Sequence, residues 1–421
     1  MSPRRFDPEA WLGSLDPIGW RFGLERITAL LAELGKPQRL FESIHVVGTN
    51  GKSSVTAMTA ALIEARGRST GCYLSPHSER WSQRIRVGGE ELAADEFATA
   101  AERVAAALPK VEAGFAEDER VTQFEAATAV AFTALADAGV EVGVVEAGLG
   151  GRLDATNVLP SRVAVLTSIG LDHTAWLGET ETEIAAEKLA VLRPGSTLVL
   201  GDVSAEVATL ARRTAAERDC VVVDPAAIPG GIRLAAPFLQ RNLGVALAAA
   251  ELVAGPVDLE DLGRAVDSLE LAGRFEVVAG EPELILDAAH NPAGARALAE
   301  AIGARFGERP VVACLAILAD KDAPEVVAAL APSIAAAVCT EIPAARLAGS
   351  GRPGTTAVPA AELVMLCEAA SVPATAHSDP AGAVALATAM AAERGGVALI
   401  AGSHYLLGYA WTARHVRNSS R

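Results

Sequence analysis

The stretch Val46-Val47-Gly48-Thr49-Asn50-Gly51-Lys52-Ser53-Ser54 combines the residue types and spacing of a phosphate-binding loop. An apolar run over 44–47 stops at a glycine turn, and Lys-Ser opens a stretch with helical spacing. Glycines let backbone N–H groups close on phosphate oxygens, and a helix N-terminus adds positive potential. In that setting Asn50 and Gly51 form the loop, Lys52 reaches the β/γ-phosphates, and the Ser53 hydroxyl coordinates Mg²⁺. A nucleoside triphosphate is therefore the leading ligand. The spacing is short: two residues separate Gly48 from Gly51, where the common pattern has four before its Gly-Lys pair. The apolar positions Val55, Met58 and Leu62 favour a loop-to-helix start over a chance Gly-Lys-Ser. The competing reading is an ordinary strand-to-helix turn.

Three further constellations follow apolar runs. Glu146 ends the run 142–145 and leads into Ala-Gly-Leu-Gly-Gly-Arg-Leu-Asp-Ala-Thr-Asn157. A carboxylate at the carboxyl end of a buried strand, near a phosphate loop, is placed to hold Mg²⁺. Gly148, Gly150 and Gly151 allow close approach of a ligand, and Arg152 and Asp154 offer charges. The alternative is a glycine turn with a solvated ion pair. His173 follows the run 163–168 and could be a metal ligand, a general base or a capping histidine. A strand position beside those of Ser53 and Glu146 favours a functional role. Asp287 ends the run 284–286, and Arg274 precedes it. Asp287 could grip a ribose or a nucleotide-bound water and Arg274 a phosphate; an interdomain ion pair fits equally. Lys188, on a helical stretch, reads by itself as a solvated residue.

Positioning these groups requires α/β architecture. Strand-like runs at 44–47, 142–145, 163–168, 197–200, 284–286, 311–316, 336–339 and 397–400 alternate with helical stretches such as 125–138, 183–192, 294–306 and 323–330. Buried strands alternating with helices imply parallel sheets covered on both faces. The chain has 421 residues, too many for one ordinary core. A seam is expected near 272, after a short helical layer over 254–269, giving domains 1–271 and 272–421. Gly349-Ser-Gly-Arg-Pro-Gly-Thr-Thr reads as a surface loop. The net charge of −16 argues against broad nucleic-acid or anionic-membrane binding. Five widely spaced cysteines, without a Cys-x-x-Cys, and an N-terminus lacking an apolar core point to a reduced, cytoplasmic protein.

Together these motifs resemble the folylpolyglutamate synthase/dihydrofolate synthase family of the Mur ligase superfamily. The resemblance rests on Gly48-Thr-Asn-Gly-Lys-Ser-Ser54, Ser75-Pro-His77, Phe124-Glu125, the run from Glu146 to Asn157, Gly170-Leu-Asp-His-Thr174, Leu177-Gly178, Glu187-Lys188, Gly273-Arg-Phe-Glu276, Asp287-Ala-Ala-His-Asn-Pro292, Ala319-Asp-Lys-Asp322 and Ala401-Gly-Ser403, in order across nearly the whole chain. It implies an N-terminal P-loop ATPase-type parallel-sheet domain, a C-terminal Rossmann-like domain and an active site between them. It also implies an ATP-dependent ligase: a substrate carboxylate is phosphorylated and L-glutamate attacks the acyl phosphate.

The resemblance assigns Ser53, Glu146 and His173 to Mg²⁺, with two ions in all. It assigns Asn242, Arg274 and Asp287 to ATP, with the loop residues Asn50, Gly51, Lys52 and Ser53. Lys188 matches a lysine that is carbamylated, and His290 a histidine near the glutamate and acyl-phosphate site. Phe22-Gly-Leu-Glu25-Arg26, Phe124-Glu125 and Arg152-Leu153-Asp154 resemble pterin-binding segments. The implied partners are the small molecules ATP, L-glutamate and a folate or pterin acid; nucleic acid and membrane are not expected, and a monomer is. Departures from the family pattern are Leu-Ala-Val-Leu-Arg after Lys188, Ala288 for glycine, Gln83 for an acid and Leu239-Gln240 for His-Gln. They bear on the acceptor more than on the phosphate chemistry. The competing functions are a Mur-type ligase with a different acid acceptor and a P-loop ATP switch without ligation. A switch needs no second ligand-gripping domain, and a compact N-terminus before the loop leaves no room for a nucleotide-sugar domain.

Overall fold

The structure, a computed structural model, describes residues 6–16, 23–77, 79–116, 119–348 and 355–418, with 412–418 as backbone only. Phe22 and the 349–354 part of the expected surface loop lie outside those residues. The chain divides into two compact units. One comprises Met1–Gly170, Thr174–Ile232 and Arg241–Leu269; the other comprises Leu171–His173, Arg233–Gln240 and Glu270–Arg421.

The first unit is built on eight strands: β1 (Glu42–Val47), β2 (Thr70–Tyr73), β3 (Ile85–Val87), β4 (Glu90–Glu91), β5 (Val142–Glu146), β6 (Val163–Ser168), β7 (Thr197–Asp202) and β8 (Val221–Val223). Their order is β4-β3-β2-β5-β1-β6-β7-β8. The six strands from β2 to β8 pair in parallel, and β3 and β4 add an antiparallel edge. The central strands are buried along nearly their whole length, as strands covered on both faces must be. Helix Lys52–Ala65 packs on β1, β2 and β5. A core cluster joins Tyr73 and Val145 to Ile27, Leu30, Val104 and Phe132, and another joins Val47, Leu166 and Leu198 to Leu189, Val207 and Ala211.

The second unit holds β9 (Glu276–Val278), β10 (Glu283–Leu286), β11 (Val311–Leu315), β12 (Ala336–Cys339), β13 (Ala374–Ala376) and β14 (Val397–Ala401). The order is β13-β12-β11-β14-β10-β9, parallel except for β9. Three of its helices start on side-chain caps with proline in the first turn: Asn291 caps Pro292–Phe306, Asp322 caps Ala323–Leu330, and Asp379 caps Pro380–Glu393. Each cap satisfies an otherwise orphaned N–H, and proline fits where no N–H is needed. The α/β expectation therefore holds in both units, with antiparallel edge strands added. Among the described residues no single helix is long and apolar enough to cross a membrane.

Candidate active site

The loop Gly48–Lys52 leaves the carboxyl end of β1, at the centre of its sheet, and enters helix Lys52–Ala65. Gly51 sits at φ 84° and no side chain caps the helix, which leaves its first turn open to an anion. β6 and the residues after it brace the short loop. Thr49 N donates to Ser168 O at 2.8 Å, Asn50 N to Ser168 Oγ at 3.2 Å, and Thr167 Oγ1 to Asn50 O at 2.6 Å. Thr49 Oγ1 donates to Gly170 O at 3.1 Å. Lys52 Nζ curls over the loop, donating to Gly48 O at 3.1 Å and Thr49 O at 3.2 Å. Asn242 stands against Gly51: a Cβ there would lie 2.9 Å from Asn242 Oδ1.

Parallel register sets Glu146 level with Val46, one strand over from the loop. Ser53 Oγ donates to Glu146 Oε1 at 3.2 Å, and Ser75 N to Oε2 at 3.1 Å. The carboxylate is 2% exposed. A hydroxyl and a carboxylate at this separation are hard oxygen donors suited to Mg²⁺. Among the described residues no three His, Cys, Asp or Glu converge as a metal cage, which is the usual situation for Mg²⁺, held by few protein groups plus water and phosphate.

The segment following Glu146 packs on the helix Glu181–Leu189. Arg152 N donates to Glu187 O at 3.0 Å, and Arg152 Nε pairs with Glu187 Oε1 at 2.8 Å. A Cβ on Gly151 would fall 2.8 Å from Lys188 O. Lys188 is buried, although helical spacing by itself reads as a solvated face. Asp154 turns inward: its Oδ2 accepts from Leu149 N at 2.8 Å and its Oδ1 from Thr156 N at 3.0 Å. Burial raises the Asp154 carboxyl, and its bonds to Thr156, Leu149 and Gly148 oppose that. Leu153 is 42% exposed. Phe124 stacks on Tyr73 at 6.3 Å. Glu125 and Arg26 form a buried ion pair, Nε to Oε2 at 3.1 Å, and Glu125 also receives Thr122 N at 2.8 Å. Glu25 is exposed. Gln83 takes the place of an acid by using Oε1 to accept Glu79 N and Arg80 N.

In the second unit Asp287 Oδ2 accepts from Phe275 N at 2.7 Å and Oδ1 from Ala289 N at 2.8 Å. Burial raises its carboxyl, with the Arg274 charge and the two amides opposing. Both Arg274 and Asp287 belong to this unit. Ala288 keeps a negative φ, so alanine is accommodated where glycine is usual. His290 Nδ1 donates to Ala288 O at 2.8 Å, and Nε2 lies 3.5 Å from Asp172 Oδ2. Asp172 also takes Lys321 Nζ at 2.6 Å, Asn291 Nδ2 at 3.0 Å and His173 N at 2.9 Å. Burial by itself raises the Asp172 carboxyl; the hydrogen bond and charge of His290, with His173 and Lys321, override that and hold it well below the usual carboxylate range. His173 sits at φ 53°, with Nε2 3.3 Å from Lys321 Nζ. The strand before it, β6, adjoins β1 but not β5, and His173 itself groups with the second unit whereas Ser53 and Glu146 belong to the first.

Sequence reasoning singled out neither Asp172 nor Lys321 as a site residue, although both lie in quoted motifs; Lys321 is 3% exposed. Thr167, Ser168 and Asn291 were also passed over. A hydroxyl pair at the end of the strand beside the phosphate loop was the available signal for the first two.

A parallel sheet with a phosphate loop at its centre, a Ser–Glu oxygen pair beside it and a second, Rossmann-like unit define a Mur-type ligase fold. Residues 273–404 match the family "Mur ligase, glutamate ligase domain". The dihydrofolate synthase/folylpolyglutamate synthase of Mycobacterium tuberculosis is 33% identical over 358 residues, 75% of this chain and 74% of that one. Escherichia coli FolC, solved in complex with DHPP and ADP, superposes with a TM-score of 0.85 at 28% identity, over 99% of this chain and 100% of that one. A bifunctional folylpolyglutamate synthase/dihydrofolate synthase with Mn, AMPPNP and L-glutamate bound superposes with a TM-score of 0.80 at 30% identity, over 99% and 100%. The chain belongs to the dihydrofolate synthase/folylpolyglutamate synthase family.

Proposed function

We propose that this chain joins L-glutamate to the carboxylate of a folate-type acid, dihydropteroate, a tetrahydrofolate polyglutamate or both, at the expense of ATP. The observation that carries the proposal is the braced loop Gly48–Lys52 with Ser53 and Glu146 3.2 Å apart beside it. An acceptor carboxylate oxygen attacks the γ-phosphorus and ADP leaves. The glutamate amine then attacks the acyl carbon, phosphate leaves, and the ammonium proton passes to solvent or phosphate. An unactivated carboxylate is a poor electrophile, so this route needs charge neutralisation rather than a nucleophilic side chain. Lys52 supplies that neutralisation, with Asn50, Gly51 and Ser53 in the loop and Asn242, Arg274 and Asp287 on the nucleotide. Ser53, Glu146 and His173 would hold Mg²⁺, which supplies Lewis-acid polarisation of phosphate oxygens.

Lys188 is the candidate for carbamylation, which converts a buried cation into an anion and gives a second ion a ligand. Glu25, Arg26, Phe124, Glu125, Arg152, Leu153 and Asp154 belong to the acceptor site, with Asp154 and the Arg26–Glu125 pair shaping it from within. His290 serves the glutamate and acyl-phosphate end. The functional domains are taken as 1–271 and 272–421, working as a monomer on small molecules alone. Five unpaired cysteines fit a cytoplasmic setting.

The deciding measurement is ADP release with Mg-ATP and L-glutamate, comparing 7,8-dihydropteroate with tetrahydrofolate and identifying products by mass. Turnover with both acceptors is expected. Turnover with tetrahydrofolate alone makes the enzyme a polyglutamylating one, and silence with both removes the folate acceptor from the reading.

A further inference from the structure

His45 lies in β1, three residues before Gly48, buried to 1% exposure and without a part in the chemistry above. Its register partners Val145 and Ala164 share its face of the sheet. On that face His45 Nε2 lies 2.8 Å from Thr156 Oγ1. Thr156 Oγ1 in turn donates to Asp154 Oδ1. A hydroxyl has one hydrogen, and Thr156 gives it to the carboxylate. Its oxygen therefore accepts from His45, and the imidazole carries its hydrogen on Nε2. Burial, with the Arg193 charge adding to it, lowers the His45 pKa to about 3, so the ring is neutral and its one N–H is the Nε2–H. The three groups form a one-directional chain, N–H to O–H to carboxylate.

The carboxylate at the end of that chain organises a turn. Asp154 collects the N–H groups of Leu149 and Thr156. Asn157 Nδ2 donates to Arg152 O at 2.8 Å, and Arg193 Nη2 holds Asn157 Oδ1 at 2.8 Å. With these groups drawn in, Arg152 and Leu153 are turned out, the Arg152 side chain 51% exposed.

We propose that His45 is a positioning residue: through Thr156 and Asp154 it fixes the 148–157 turn to the strand that ends in the phosphate loop, and so sets where Arg152 and Leu153 meet the acceptor acid relative to the γ-phosphate. The last clause rests on the acceptor reading of Arg152 and Leu153 given above; the positioning of the turn does not. His45→Leu removes the donor, whereas His45→Gln keeps an N–H at comparable reach. Thr156→Val removes the hydroxyl and Thr156→Ser keeps it.

Amide hydrogen exchange of Leu149 and Thr156 in the full-length protein tests the positioning. Exchange faster by about 10-fold or more in His45→Leu, restored in His45→Gln, is expected, since one lost buried hydrogen bond is worth about a factor of ten. Unchanged exchange overturns the proposal. Steady-state kinetics with dihydropteroate test the consequence. The acceptor KM rises about 10- to 100-fold in His45→Leu, as a misplacement near 1 Å would produce, while the ATP KM stays within about threefold. An equal rise in both KM values marks a general loosening of the sheet and also overturns it. Should His45→Leu fail to fold, the Thr156→Val and Thr156→Ser pair gives the same two readouts. Faster exchange with an unchanged acceptor KM keeps His45 as the anchor of the turn and removes Arg152 and Leu153 from the acceptor site. A wild-type enzyme silent with every folate acid removes the acceptor reading and leaves the exchange result standing.

Discussion

Lys52 Nζ donates to two carbonyls of its own loop, Gly48 and Thr49. Bonds of a part-buried ammonium to main chain are replaceable by water, so the fold loses little without them. Lys52→Ala is expected to keep its stability within about 0.5 kcal/mol, the range of an ordinary surface change, and to lose at least about 100-fold in turnover, as removal of one charge-stabilising group does. Urea unfolding and ADP release measure the two; loss of cooperative unfolding would count against a purely catalytic lysine. His45 makes a pH prediction. Its pKa is about 3 in the folded chain against an ordinary 6.5, so between those values the unfolded chain binds the extra proton. Its contribution is fully present above pH 6.5 and is lost as pH falls toward 3, at about 1.4 kcal/mol per pH unit. Between pH 7 and pH 5 the wild type should lose about 2 kcal/mol more than His45→Gln in urea unfolding; identical pH profiles would show that His45 is not buried as a neutral ring. Ser53 and Glu146 stand out in the sequence because one opens the helical stretch after an apolar run and the other closes such a run. Asp172 and Lys321 do not, since 149 residues separate two groups that meet at 2.6 Å.

The elements that hold these residues were legible where burial is continuous. Val163–Ser168, Ala336–Cys339 and Ala323–Leu330 have the bounds read from the sequence. Short strands were not named: Thr70–Tyr73 carries a glycine, and Ala374–Ala376 is alanine and threonine on a partly exposed edge. The antiparallel pairing of β9 was not foreseen, because pairing direction is set by connections that residue pattern does not encode. Two glycines separate packing from propensity. Gly151 lies against the main chain of Lys188, where an added Cβ would meet carbonyl oxygens at 2.8 Å. Backbone cannot swing aside as a side chain can, so Gly151→Ala should cost about 1–3 kcal/mol and lower turnover by moving Lys188. Gly303, inside helix Pro292–Phe306, has open space where a methyl would sit, with nothing within 4 Å of that point. Gly303→Ala should therefore raise stability by about 0.5–1 kcal/mol and leave turnover unchanged. Thermal unfolding and ADP release on the two variants test both, and a stable, fully active Gly151→Ala would show that the Lys188 contact is dispensable.

At the scale of the molecule, a chain of net charge −16 works on three anions: ATP, a folate acid and glutamate. The global field disfavours all of them, so binding has to come from local cations: Lys52 opens the helix after β1, Arg274 precedes β9, and Lys321 lies in the loop after β11. Two sheets with separate cores were legible from the alternation of strands and helices. The interleaving was not: Leu171–His173 and Arg233–Gln240 group with the later unit, and only tertiary contacts reveal that. This interleaving gives Asp172 its partners Lys321, His290 and Asn291. The chemistry adds a constraint on ATP turnover. Phosphate is transferred to a carboxylate, and only the acceptor acid supplies that carboxylate. ADP release should therefore require the acceptor, and steady turnover should require glutamate as well. With Mg-ATP alone, turnover below about 1% of the full rate is expected, a difference of about 2.7 kcal/mol in barrier. ADP release measured with each substrate withheld in turn checks this. Equal turnover without an acceptor would mean that ATP is spent on a conformational cycle, and the ligase assignment would give way to a nucleotide switch.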